Sequence, residues 1–200
     1  MTHRIIHPRQ LSPVPWANGL GTTREIATAA SAPRGADQGP GFRWRISLAE
    51  LTQDSPFSRL PGVDRVFTLV TPGPVHLSVH GQARRVDPGV PVAFAGEDDV
   101  AVELGSAGPQ QALNLMVDRS QARGAVHVRR LEGSPVDLPE ETIAVVVLSG
   151  AVILPDGRLA ERGQVIRPEG PLRLAGRPRA VVACVEVTSV QVAGAEVAEV

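Results

Sequence analysis

The stretch Phe42-Arg43-Trp44-Arg45-Ile46-Ser47-Leu48 alternates apolar and polar side chains over seven residues. Successive side chains of an extended chain point to opposite faces. Phe42, Trp44, Ile46 and Leu48 therefore share one face, and Arg43, Arg45 and Ser47 the other. Seven more segments read as strands: 66–70, 75–79, 100–104, 112–117, 125–131, 143–148 and 180–187. They are rich in β-branched residues and bounded by Gly, Pro or Asp. Residues 48–51 leave room for one helical turn, which Pro56 stops. Of 200 residues, 20 are Gly and 18 are Pro, against a combined usage of about 12% in average proteins. A chain so often punctuated excludes long helices and predicts an all-β barrel or sandwich.

The strand pattern repeats. Residues 69–85 read strand, Gly73, strand, Gly81, short strand; residues 148–159 read strand, Gly150, strand, Gly157, short strand. Pro88-Gly89 then matches Arg162-Gly163, and 113–117 matches 182–186. The falling offset between the copies fits loops shortened in the second. Two copies of one antiparallel unit of about 70 residues imply a duplicated barrel. Residues 133–141, with two prolines and no apolar period, read as the crossing between halves, dividing the chain into 1–132 and 133–200. Residues 31–41 read as a Pro/Gly-rich loop and 105–109 as a shorter connector. Residues 189–200 fit either an edge strand or a frayed end.

Composition excludes several function classes. Twenty basic residues, all arginine, stand against 21 acidic ones, for a net charge of -1. That balance does not provide the basic stripe of a nucleic-acid surface, and 3% aromatic content does not furnish base-stacking platforms. The lone Cys184 rules out a disulfide framework and a Cys-based zinc site. The start Met1-Thr2-His3-Arg4 lacks a signal peptide's apolar region. The longest uncharged apolar run, 142–155, is short of the roughly 20 residues that span a bilayer. The expectation is a cytoplasmic protein with neither nucleic-acid nor membrane partners.

A duplicated β-barrel of this size suggests a cupin, whose metal site uses a His-x-His pair because residues i and i+2 share a face about 7 Å apart. Here His76 and His80 are four apart, about 13 Å along an extended strand, too far to share one ion. His3, His7 and His127 have no partner at ligand spacing, so no metal and no cofactor is expected. There is no Gly-x-Ser-x-Gly nucleophile motif. Cys184 lies in an apolar strand, as an inert buried thiol would. Gly19-Leu20-Gly21 lacks the rest of a phosphate loop.

Three clusters remain. PWANGLGTTREIA (15–27) gathers Trp16, Asn18, Thr22, Thr23 and Arg24 around two glycines, either a tight loop feeding a strand or a ligand-binding loop at a barrel mouth. FSRLPGVDR (57–65) turns at Pro61-Gly62; Asp64 and Arg65, being adjacent, face opposite ways, and Asp64 is free to pair with Arg24 or Arg45. An arginine facing the lumen would hold a carboxylate with paired donors. In 112–117, Asn114 interrupts an apolar run and shares a face with Met116; buried, it needs partners.

Together PWANGLGTTREIA, FRWRISLAEL (42–51), FSRLPGVDR, FAGED (94–98) and LNLMV (113–117) resemble the HutD/Ves family of bacterial proteins, in the family's order, and LSG at 148–150 fits as well. The resemblance covers nearly the whole chain, the C-terminal third in pattern only. It implies an all-β double cupin-like barrel of jelly-roll type, a bicupin without the usual metal ligands. It also implies binding of a small carboxylate such as N-formylglutamate, with a regulatory role in histidine utilization and no firmly attached catalysis. Mapped onto this chain, the ligand contacts are Trp16, Asn18, Thr22, Arg24, Arg45, Arg65 and Asn114. The sequence departs from the family's Trp-Lys-Asn-Gly-Gly-Gly pattern at Ala17 and Leu20, so no cation stands at position 17. The alternatives are a cupin enzyme of isomerase or oxygenase type, and a non-catalytic interaction protein. A homodimer is one option for its assembly.

Overall fold

The computed structural model describes residues 3–16, 19–31, 39–105 and 108–190. Asn18, most of the 31–41 segment and residues 191–200 lie outside the described residues. Among those described are nineteen strands, one three-residue 3-10 helix (Pro8–Gln10) and no α-helix. The class is all-β.

Four antiparallel sheets form, and the duplication is visible in their order. The six-stranded sheet contains Phe42–Leu51, Gln110–Asp118, Val63–Leu69 and Pro91–Ala95 as successive neighbours, extended beside Phe42–Leu51 by Gly21–Ala30 and Val14–Pro15. The five-stranded sheet repeats that order with Ala122–Leu131, Ala180–Ser189, Thr142–Ser149 and Val165–Arg167, then adds Arg4–Ile6. The two four-stranded sheets match as well. Ser55–Pro56, Val100–Glu103, Val75–Val79 and Gln82–Val86 correspond to Val136–Asp137, Arg173–Gly176, Ala151–Ile153 and Leu159–Glu161. The strand at 122–131 thus sits among C-terminal strands, and so does the one at 4–6. No sheet closes on itself among the described residues; each copy sets a large sheet against a small one.

Three cores separate the layers. Ala49, Leu51, Phe67, Leu69, Leu77 and Val102 fill the space between the six-stranded sheet and its small partner. Val145, Val147, Val152, Ile166 and Leu174 do so in the second copy. The two large sheets pack back to back through Trp44, Ile46, Leu48, Leu113 and Leu115 on one side and Val126, Val146, Val165 and Val185 on the other. The second half of Phe42–Leu51, from Ile46 on, is therefore covered on both faces, while Phe42, Arg43 and Arg45 stay partly exposed. Residues 48–51, read as room for a helical turn, continue that strand: Leu48 enters the central core, while Ala49 and Leu51 enter the first. A strand covered on both sides loses its alternation and reads as a continuous apolar run.

Candidate functional site

Register brings three of the expected residues onto one face. Arg45 pairs across the ladder with Met116, Met116 with Arg65, and Arg65 with Phe94. In the next row Ser47 opposes Asn114, and Asn114 opposes Phe67. Paired residues share a face, and this one carries Phe67, Ala49 and Leu51 into the first core. Arg45, Arg65 and Asn114 thus form the polar end of that core. Two strand spacings put the Arg45 and Arg65 backbones about 10 Å apart.

Arg65 is 6% exposed. Its guanidinium lies 4.7 Å from the Phe57 ring centroid and 5.3 Å from that of Phe94. Nη1 donates to the Ser58 carbonyl at 3.1 Å. The buried Nε has no partner, and no acidic side chain among the described residues pairs with the group. Burial pulls its pKa down to about 10, because moving charge out of water disfavours the charged form. The rings supply a negative face to the cation.

Arg45 lies nearer solvent. Its Nε approaches Glu25 Oε2 at 2.9 Å without hydrogen-bond alignment; a register shift between Glu25 and Ala27 sets Glu25 opposite Ser47 on this face. Asn114 is 5% exposed. Trp16 packs on the far end of the same core, with Nε1 donating to Thr23 Oγ1 at 2.7 Å. A Cβ on Gly21 would fall 2.6 Å from the Glu50 carbonyl oxygen and 3.0 Å from the Trp16 ring, so that glycine is needed for the indole to lie flat on the strand.

Thr22 and Arg24 take the opposite face. Arg24 Nε donates to Glu50 Oε1 at 3.1 Å, Thr22 Oγ1 to Glu50 Oε2 at 3.0 Å, and Arg24 Nη1 contacts the Leu11 carbonyl. Burial alone would raise the Glu50 pKa; the hydrogen bonds from Arg24 and Thr22 bring it below the usual value. Arg24 and Glu50 line a cavity of about 540 Å³ between the two large sheets, with Leu48, Val70, Thr71 and Gln111. The expected ligand contacts therefore divide between two faces of one sheet.

Asp64, proposed as a partner of Arg24 or Arg45, binds neither. Arg119 Nε donates to Asp64 Oδ1 at 2.9 Å, and Arg119 Nη1 and Nη2 grip Glu97 Oε1 and Oε2 at 2.8 and 2.7 Å. Glu97 Oε1 also accepts the Gly62 N–H at 2.8 Å. This clamp ties the 58–64 turn, and with it the Ser58 carbonyl under Arg65, to the strand Pro91–Ala95. Gly96 lies directly against that turn, where an added Cβ would sit 2.2 Å from the Leu60 carbonyl oxygen.

Sequence reasoning missed Phe57, Phe94, Glu25 and Glu50. The chain has four phenylalanines, and three meet here: Phe57 stands edge-on to Phe67 and Phe94 at 5.8 and 5.5 Å. Phe57 opens one of the quoted motifs and Phe94 another, the one signal that pointed to them. His76 is exposed on a strand of the small sheet, and His80 sits in a turn at φ 50° with Nε2 3.1 Å from Asp98 Oδ1. Among the described residues no three His, Cys, Asp or Glu side chains are placed to hold a metal ion, and no helix is long and apolar enough to cross a membrane.

The HutD family pattern matches residues 9–186. Protein Ves of Citrobacter koseri is 32% identical over 169 residues, covering 78% of this chain and 84% of that protein. Protein Ves of Cronobacter sakazakii is 39% identical over 114 residues, 56% of this chain and 59% of that one. The structure of HutD from Pseudomonas fluorescens SBW25 superposes with a TM-score of 0.76 at 24% identity, over 94% of this chain and all of that one. A cupin 2 conserved barrel protein from Leptotrichia buccalis superposes with a TM-score of 0.56 at 13% identity, over 92% and 96% of the two chains, which places the fold among cupin-like proteins. With the family's pattern running nearly from end to end, this chain belongs to the HutD/Ves family.

Proposed function

We propose that this protein is a cytoplasmic bicupin that binds a small carboxylate of the N-formylglutamate type without metal and serves histidine utilization as a regulator rather than a catalyst. The carrying observation is Arg65. A guanidinium buried against two phenylalanine rings, with no carboxylate partner among the described residues and a buried Nε left unbonded, is a charge waiting for an anion. Unpaired buried donors are costly, and a fork of parallel N–H groups fits a carboxylate. Arg45 and Asn114 on the same face supply the second charge and the amide that read the rest of the ligand. Trp16 closes the apolar end of that core. Thr22 and Arg24, satisfied by Glu50, are not part of this contact set.

Calorimetric titration with N-formylglutamate, glutamate and urocanate tests the reading. Heat with at least one acid in the wild type and none in Arg65→Gln is expected. Silence with all three at millimolar ligand overturns it.

A further inference from the structure

A second positively charged site lies away from Arg65, at the edge of the five-stranded sheet. The strand Arg4–Ile6 pairs with Val165–Arg167 so that Arg4 stands directly opposite Arg167. Like charges directly opposite on adjacent strands repel, and Arg167 has its pKa lowered first by burial and then by Arg4. Arg167 stacks 5.7 Å from the Trp44 ring centroid, and its buried Nε has no partner. Both arginines line a cavity of about 350 Å³, together with His7, Gln10, Ile26 and Glu169. Glu169 forms an ion pair with neither arginine. Two guanidiniums thus face the cavity against one lining carboxylate that pairs with neither, which leaves room for an added anion.

We propose that Arg4 and Arg167 form a binding site for a small dianionic oxyanion, a phosphate group either free or as a monoester. Two guanidiniums match two negative charges, and each offers paired N–H donors to tetrahedral oxygens. Gln10 and His7 stand beside them as further polar contacts. The cavity volume suits a ligand of that size.

The test is thermal unfolding and calorimetry with inorganic phosphate, glycerol 3-phosphate and acetate, all at matched ionic strength. In the wild type, phosphate at ten times its Kd raises Tm by about 3–5 °C, and acetate leaves it unchanged. Arg4→Gln, at an exposed position, melts no lower than wild type without phosphate, since a repulsion is removed, and binds phosphate about tenfold more weakly. Arg167→Gln weakens binding at least as much. Arg65→Gln keeps the full phosphate response, which separates this site from the carboxylate site. Tighter binding of glycerol 3-phosphate assigns a monoester, tighter binding of inorganic phosphate the free ion, and both uphold the site. No phosphate-specific shift, an undiminished shift in Arg4→Gln, or loss of the shift in Arg65→Gln would overturn the proposal.

Discussion

Replacing Arg65 with methionine separates a ligand-binding arginine from a structural one. The group is 6% exposed, and burial brings its pKa down to about 10, well below the usual arginine value. At about 1.36 kcal/mol per pKa unit, keeping it charged costs the folded protein about 3 kcal/mol. The sign follows from proton counts. Below about pH 10 both folded and unfolded chains hold the proton and the cost is complete; above it the folded chain sheds the proton first, so this group's contribution to stability rises with pH. Methionine removes the cost and keeps most of the volume. It forfeits two ring contacts, each about 0.5–2 kcal/mol, and leaves the Ser58 carbonyl unpaired at about 1–3 kcal/mol. The net runs from about 1 kcal/mol of stabilisation to about 4 kcal/mol of loss, centred near 1–2 kcal/mol of loss, whereas breaking a buried ion pair costs about 3–5 kcal/mol. Carboxylate affinity, in contrast, falls at least about 100-fold with the loss of two charge-assisted hydrogen bonds. Urea unfolding of the unliganded variant, followed by calorimetry with N-formylglutamate, reads both quantities. Destabilisation beyond about 4 kcal/mol with unchanged ligand heat would refute the reasoning and make Arg65 a structural residue.

Gly96→Ala drives a Cβ into the Leu60 carbonyl oxygen at 2.2 Å and the Val63 oxygen at 2.9 Å; both are backbone atoms, so a loss of about 2–4 kcal/mol is expected in urea unfolding. The Arg119 hydrogen bonds and the Gly62 N–H hold the Glu97 carboxyl down at about 2. The stability it provides is complete above the usual carboxylate value and drains away as pH falls toward 2. In Glu97→Gln, acid unfolding followed by circular dichroism loses that part of its pH dependence. Burial pushes the Cys184 thiol up to about 11, and the side chain is fully buried. A thiol reagent at pH 8 should leave the native protein unmodified and label one equivalent on denaturation.

Period two and turn residues were enough to read most of the fold. The alternation at 42–48 placed Trp44, Ile46 and Leu48 on one face, and the glycine-punctuated repeat anticipated two sheets with one strand order. Arg45, Arg65 and Asn114 were named with Trp16, Asn18, Thr22 and Arg24 through the family resemblance; that these three share one face follows from register alone. Pairing was not legible. Arg24 looked like part of the same cluster, but Glu50, which claims it, sits on the next strand, and strand register is a tertiary property. Arg119 lies 55 residues from Asp64, in a turn with no sequence signal of its own. Phe57 and Phe94 open two of the motifs but carry no signal of their own; only the fold puts both rings on one guanidinium. Residues 48–51 were misread because burial on both faces erases the strand period. A repeat of strand order fixes which strands are neighbours and leaves closure to bending and register, which the repeat does not encode.

The most direct test of the account follows the Nε–H resonances of the arginines by nitrogen-15 NMR during a titration with N-formylglutamate, assigned through Arg65→Lys and Arg24→Lys. The account predicts that the Arg65 Nε–H shifts saturably and becomes protected from exchange, with a smaller response at Arg45, while Arg24, already held by Glu50, stays in place. A saturable shift at Arg24 with Arg65 unmoved would contradict it.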